Sequence, residues 1–391
     1  MDASRPSMIA ELPADPQSFR PIARDFLIES KADGVACPAF GAILIPALHD
    51  EAIKWQRHCY EHGFAGLHWP EEFGGRGLSV AHTAVWNEEC ARLEVAPYLN
   101  LQGLVLAGGA IMRAGTDNQR ARFLRDTLAG EILWCQLFSE PGAGSDLAGL
   151  QSRAVRDGDH FVLNGQKVWS SNAQFAHYGI LMARTDTDGQ SSRPGLSRHK
   201  GISFFLIDMT QDGVDVRPLK QMTGDSEFCE VFFDDVEMPA NALLGDLHGG
   251  WAVAMNVLQD ERGSVGAGGV ISLERRIGTL AAKSGNADVL GRQDLAGLLT
   301  RGSALRALVQ RRGDDPLSAP ITKLFQSELG VAEVAVETQL RGPEAMLLDA
   351  TTERFLYAPG MRIAGGSSEI QRNIIGERLL GLPREPPPPG Q

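Results

Sequence analysis

The chain has 391 residues, 43% of them hydrophobic and 22% charged, an ordinary globular composition with length enough for two or three packed units. A formal net charge of −12 argues against a sequence-independent grip on nucleic acid, which needs a broadly basic face. Five scattered cysteines suggest neither a disulfide framework nor a zinc site, no N-terminal signal core is apparent, and no stretch approaches the roughly 20 apolar residues of a membrane span; the expectation is a soluble cytoplasmic protein without membrane insertion.

From Pro21 to about Gly130 apolar residues recur every three or four positions, as in AGGAIMRAG and RARFLRDTLAG, which predicts helices around the loop WPEEFGGRGLS. From about Ile132 to Pro239 the pattern turns strand-like. WCQLFS, HYGILMARTD, GISFFLIDM and EFCEVFF read as strands, and the Asp-Gly and Asn-Gly pairs of SRAVRDGDHFVLNGQKVWSS are hairpin signals. SSRPGLSRHKG, residues 191–201, reads as an exposed loop. After EMPANALLGDLHGGW helical spacing returns and persists through LFQSELGVAEVAVETQL to EIQRNIIGERLLGL, before the tail PREPPPPGQ. The fold class is therefore mainly α with a middle β domain, divided as 1–130, 131–240 and 241–391.

Three segments carry chemistry. LFSEPGAGSD, residues 137–146, ends a predicted strand; its small residues let backbone amides approach a ligand, and Ser139 and Ser145 add hydroxyls, although a plain glycine turn closing a strand has the same composition. In GQKVWSSNAQ, Trp169 with Ser170 and Ser171 could wall a planar ring, or the tryptophan could be core. In NVLQDERGSV, residues 256–265, Glu261 shares a helical stripe with Ala254, Val257, Leu258 and Val265, so its face should be buried. A carboxylate there is either reactive or else caps a kink or pairs with an arginine across helices; Arg262 is on a different face and is not that partner. Later, Gly365 and Gly366 break the chain, Ser368 with Gln371 fits a capping box, and Ile370, Ile374, Ile375 and Leu379 form a stripe expected to be buried.

SEPGAGSD followed by KVWSSNA, preceded by WPEEFGGRGLS and ended by GGSSEIQRNIIGERLLGLPREP, resembles the acyl-CoA dehydrogenases, with the flavour of the bacterial fatty-acid or sterol-side-chain branch. The resemblance spans about Ile22 to Pro386. It implies an N-terminal α domain, a barrel-like middle β domain and a C-terminal four-helix bundle, with FAD held between the last two. It implies dehydrogenation of an acyl-CoA thioester to the trans-2-enoyl-CoA, which needs a carboxylate base, a polariser for the thioester oxygen and a flavin. By the same resemblance Phe138, Ser139, Trp169 and Ser171 match flavin contacts, serine replacing the commoner threonine at 139 and 171. Gly144 belongs to the same cofactor loop, and Ser145 matches a residue near the pyrophosphate and the substrate's pantetheine. Ser367 and Glu369 match cofactor contacts at the start of the last helix.

The base position departs from the commoner pattern. Many relatives carry Glu just before the Gly-Thr/Ser pair, where RIAGGSSEIQ has Gly365. Another branch places the base just before an arginine on an earlier helix, and Glu261 before Arg262 matches it. The resemblance thus assigns Glu261 as base, with desolvation expected to raise its basicity, Gly365 as a backbone donor to the thioester oxygen that leaves room for Glu261, and Arg262 to the substrate side. Two further motifs are eroded: AAKSGNADVLGRQDLAGLL lacks the arginine and phenylalanine that hold a neighbouring subunit's FAD adenosine, and QLRGPEAMLL replaces a glycine-rich signature. The implied partners are an electron-transfer flavoprotein as acceptor and further subunits, either copies forming a dimer of dimers or a second chain type. Two alternatives stay open: a flavin-poor structural subunit, and a relative oxidising a substrate other than an acyl-CoA.

Overall fold

The structure, a computed structural model, describes residues 11–40, 43–99, 101–186, 198–264, 267–311 and 318–384. The chain forms two compact units, Met1–Asp260 and Glu261–Gln391.

The first unit opens with helices α1 (Pro16–Ala32), α2 (His49–Glu61), α3 (Val80–Leu93), α4 (Gly108–Ala114) and α5 (Asp117–Ala129). Asp15 caps α1 by accepting from the Ser18 amide at 2.8 Å, and Phe19, Ala23 and Leu27, spaced by four, form its buried stripe. α5 starts with a reciprocal capping box between Thr116 and Gln119 and stops at Gly130 in the left-handed region. Trp55, Trp69 and Trp86 are buried at the centre of this layer, the Trp55 indole N–H donating to Ala96 O at 2.7 Å. Glu89, also buried, is held by Arg20 at 2.6 Å and Arg24 at 2.8 Å.

The sheet that follows has strands β1 (Trp134–Leu137), β2 (Arg153–Asp157), β3 (His160–Ser171), β4 (Tyr178–Arg184), β5 (Ile202–Asp208), β6 (Val214–Leu219) and β7 (Phe228–Pro239). Its order is β1-β4-β2-β3-β7-β6, with β5 paired antiparallel to β4. Alternate residues of β4 and β5 go to different cores. Ile180, Met182, Phe204 and Leu206 join the helical layer, while Leu181, Ala183, Phe205 and Ile207 pack with Leu163, Val231 and Phe233. Both faces of these strands are buried, so their sequences run almost continuously apolar.

Two local expectations are corrected here. The Asp-Gly pair does mark the β2–β3 hairpin, with Gly158 at φ +58, but Asn164-Gly165 is no turn. It lies inside β3 at a register shift against β7, and a side chain at Gly165 would collide with Ser152. β6, VDVRPL, was absent from the predicted strands: its apolar alternation, Val214 and Val216 against Asp215 and Arg217, covers only four residues before Pro218 interrupts it.

α6 spans Gly250–Ser264. The second unit continues with α7 (Ala267–Lys283), α8 (Val289–Arg311), α9 (Ser318–Arg341), α10 (Ala350–Met361) and α11 (Ser368–Ile374). Val270, Leu273 and Ile277 of α7 pack with Leu298 and Leu305 of α8 and Leu329 of α9, a helical-period core in the C-terminal bundle. The stripe expected on the last helix is only partly formed. Ile370, Ile374 and Ile375 are half-buried and Leu379 is exposed; α11 gives way at Ile375 to a wider π-helical turn, which takes Leu379 out of the α-helical register. Among the described residues, no helix is long and apolar enough to cross a membrane, and all five cysteines are buried and free.

Candidate active site

The first chemical segment and the Trp169 segment meet through a buried ion pair. Lys167, fully buried on β3, places Nζ 2.8 Å from Glu140 Oε1 and donates to the Phe138 carbonyl at 3.1 Å. Glu140 also accepts from the amides of Gln151 at 2.6 Å and Ser152 at 2.9 Å, and the Val168 amide donates to Ser139 O at 2.9 Å. Burial alone would raise the Glu140 carboxyl; the Lys167 charge and these donors outweigh it and hold the group below its ordinary range. Paired backbone bonds between Glu140 and Ala143, both 3.0 Å, then close the loop. Pro141 to Ser145 is exposed except for Ala143.

Trp169 is not a core residue. It is 60% exposed, at φ +61, where the β3 register slips between Lys167 and Ser170. Phe228 meets its indole edge-on at 6.0 Å. A bulky residue in the left-handed region costs about 1–3 kcal/mol, strain of a kind that clusters at functional sites. Phe138 turns its ring into the core, perpendicular to Phe204 at 5.7 Å, so it offers the loop backbone rather than a ring face. Ser139 and Ser171 are half-buried, and Gly144 and Ser145 exposed.

A second group of residues assembles in the C-terminal unit. Gly365 and Gly366 both adopt left-handed backbone, φ +65 and +93, which glycine supplies without steric cost. Gln371 Nε2 donates to Gly365 O at 3.0 Å and Gly366 O at 3.2 Å, and Lys323 Nζ donates to Gly366 O at 2.7 Å. A Cβ built on Gly365 would lie 3.4 Å from Glu261 Oε1. Glu261 is half-buried rather than buried: Ala254 and Val257 are fully covered, Leu258 only partly, and Val265 lies outside the described residues. The Arg262 side chain lies outside them as well. The α11 cap is Ser367, not Ser368; Ser367 accepts from the Ile370 amide at 3.3 Å while Ser368 N bonds back to Arg362 O at 2.9 Å. The Ser368 hydroxyl is buried without a partner among the described residues. Glu369 is exposed.

Three domain models of acyl-CoA dehydrogenase match the chain: the N-terminal domain over residues 45–131, the middle domain over 135–236 and the C-terminal domain over 248–380. The chain belongs to the acyl-CoA dehydrogenase family. It is 38% identical to Acyl-CoA dehydrogenase IpdE1 of Mycolicibacterium smegmatis, over 94% of this chain and 98% of that protein. Among solved structures it resembles the Tcur3481-Tcur3483 steroid ACAD, with TM-score 0.80, 25% identity and coverage of 95% of this chain and 99% of that one. It also resembles the ChsE4-ChsE5 complex from Mycobacterium tuberculosis, with TM-score 0.78, 26% identity and coverage of 97% and 100%.

As a member of this family the chain is an FAD-dependent oxidoreductase that dehydrogenates acyl-CoA. Its residues fit a flavin. Gly142 and Gly144 would accept a Cβ with nothing inside 4 Å, so packing within the chain does not account for them, and their exposed loop is tied through the Lys167–Glu140 pair to the strand that carries the outward indole.

Sequence reasoning missed Lys167 and Lys323. The bulge at Gly165 shifts the phase of β3 and hides the inward position of Lys167, whereas Lys323 reads as an ordinary polar residue of a long helix.

Proposed function

We propose that Glu261 is the base that removes the α-proton of an acyl-CoA thioester, its carboxylate oxygen forming a bond to that proton as the Cα–H bond breaks. One observation carries this: Glu261 Oε1 reaches to 3.4 Å from the point where residue 365 would begin a side chain, so a carboxylate from α6 serves the position that glycine leaves empty. The Gly365 amide is proposed to polarise the thioester oxygen, and Arg262 and Ser145 to contact the substrate. FAD, when bound, supplies the acceptor for the hydride leaving Cβ, so the thioester becomes the trans-2-enoyl product. Phe138, Ser139, Gly144, Ser145, Trp169 and Ser171, with Ser367 and Glu369, are the residues assigned to hold it. The substrate is proposed to be a bulky, branched or sterol-derived acyl-CoA, which the steroid ACAD among the structural neighbours favours.

Glu261→Gln tests the base. The expected result is retained flavin with turnover lowered at least 100-fold; near-normal turnover in that variant would overturn the assignment.

A second reading, that a different chain type completes the enzyme, is favoured by AAKSGNADVLGRQDLAGLL and QLRGPEAMLL, which lack the adenosine-holding signatures, and by two-component structural neighbours. Protein purified alone should carry flavin and bleach with substrate if copies of this chain suffice. Colour and turnover appearing only with a second subunit would favour the heteromer. Reoxidation by an electron-transfer flavoprotein tests the proposed acceptor.

A further inference from the structure

Lys323 is a buried amine of the C-terminal bundle. It is 5% exposed on α9, and the Gly366 carbonyl, 2.7 Å away, is its hydrogen-bond acceptor. Burial pushes its ammonium below the ordinary lysine range, and the charges of Glu261 and Glu369 oppose that shift. One of these carboxylates comes from α6 and one from the start of α11. Glu369 lies 3.9 Å from Arg372, while Glu261 is the one approaching the Gly365 position.

The same amine therefore serves two parts of one site. It grips the carbonyl side of a left-handed glycine pair that Gln371 grips beside it, and its acceptor Gly366 adjoins Gly365, whose Cβ position the Glu261 carboxylate approaches to 3.4 Å. A bare hydrogen-bond strut would need only a neutral donor, at far smaller desolvation cost than a buried ammonium.

We infer that Lys323 is a positioning residue for dehydrogenation, holding the Gly365–Gly366 turn in place and keeping Glu261 ionised and ready to accept a proton. The inference rests on Glu261 being the base. Removing the positive charge makes Glu261 harder to ionise, so the acidic limb of the rate profile moves to higher pH.

The test is the pH profile of kcat/KM for the flavin-loaded enzyme, with Lys323→Met, Lys323→Gln and Lys323→Arg beside Glu261→Gln. Gln keeps a donor for Gly366 without the charge; Arg keeps the charge. The expected result is an upward shift of the acidic limb in Met and Gln, with a loss of roughly tenfold below the limb that shrinks above it, and a limb restored toward wild type in Arg. A Met variant that fails to fold, seen as lost flavin and no cooperative melting, leaves Gln and Arg to decide. An unmoved limb in Gln, or an even loss at every pH, overturns the inference. Full activity in Glu261→Gln would instead remove the reading of Glu261 as base, an outcome distinct from any result at Lys323.

Discussion

Lys167 and Glu140 form an ion pair 2.8 Å long with side chains 0% and 6% exposed, and that pair fastens the strand carrying Trp169 to the loop carrying Ser139, Gly144 and Ser145. Its hydrogen bonds are well supplied: Lys167 also donates to Phe138 O, and Glu140 also accepts two amides. Breaking one side strands the other, so Lys167→Met should cost about 3–5 kcal/mol, and adding Glu140→Leu should recover only part of it, since the Gln151 and Ser152 amides then lose their acceptor. Urea unfolding of the single and double variants checks this. Both should lose flavin, since the double variant restores packing and not the loop's anchor.

Trp169 offers a separation of stability from binding. Its indole is mostly exposed and its backbone sits at φ +61. Trp169→Gly removes little packing and relieves a left-handed strain of about 1–2 kcal/mol, partly offset by glycine's greater unfolded freedom. The flavin-free variant should therefore melt no lower than the flavin-free wild type while retaining FAD much more weakly. A marked drop in the flavin-free melting temperature would mean that the indole serves packing instead.

The expected layout of helices, sheet and helices was readable because period-3.6 and period-2 patterns are long in this chain and the β4 and β5 strands are nearly all apolar. Glu261 was readable as an anomaly on an apolar stripe, although the stripe is less buried than its spacing implies, because Leu258 is only partly covered. The α11 cap was misplaced by one residue for a local reason. Ser367 and Ser368 are adjacent, and it is the Ser367 carbonyl that accepts from the Gln371 amide and the Ser367 hydroxyl that accepts from the Ile370 amide, so Ser368 is the first helical residue, which spacing does not reveal. Lys167 and Lys323 were invisible as site residues because what singles them out is burial against carbonyls and carboxylates brought close only by folding.

Glu227 gives a pH-dependent stability. It is buried at the head of β7, its carbonyl accepting from the Asn172 amide at 2.8 Å. Oε2 has no partner among the described residues. Burial, with the Asp225 charge adding, pushes it up to about 7. Because the folded value lies above the unfolded one, the stability linked to its proton is fully present below the ordinary carboxylate range and lost as pH rises through about 7. The loss should be on the order of 2–3 kcal/mol at pH 8. Glu227→Gln stays neutral throughout, so it should melt above wild type at pH 8 and near it at pH 5. Parallel melting curves for the two proteins across that range would argue against the shift.

Gly365→Ala probes the glycine that stands where many relatives carry their base. The added methyl would touch Glu261 Oε1 at 3.4 Å, the near edge of van der Waals contact, and φ +65 adds a strain of about 1–2 kcal/mol. Gly366→Ala is the matched control, with φ +93 and a methyl 2.6 Å from Gln371 Nε2, so it strains the turn without reaching Glu261 directly. Both should lower the melting temperature, Gly366→Ala the more, because its methyl overlaps the buried Gln371 amide that holds the turn. Only Gly365→Ala crowds the proposed base, so its kcat should fall further than that of Gly366→Ala, by roughly tenfold for a displacement that spoils proton-transfer geometry. Steady-state kinetics at saturating acyl-CoA, paired with thermal melting, separates the two effects; equal kcat in the two variants would mean that the space beside Gly365 is not where Glu261 works.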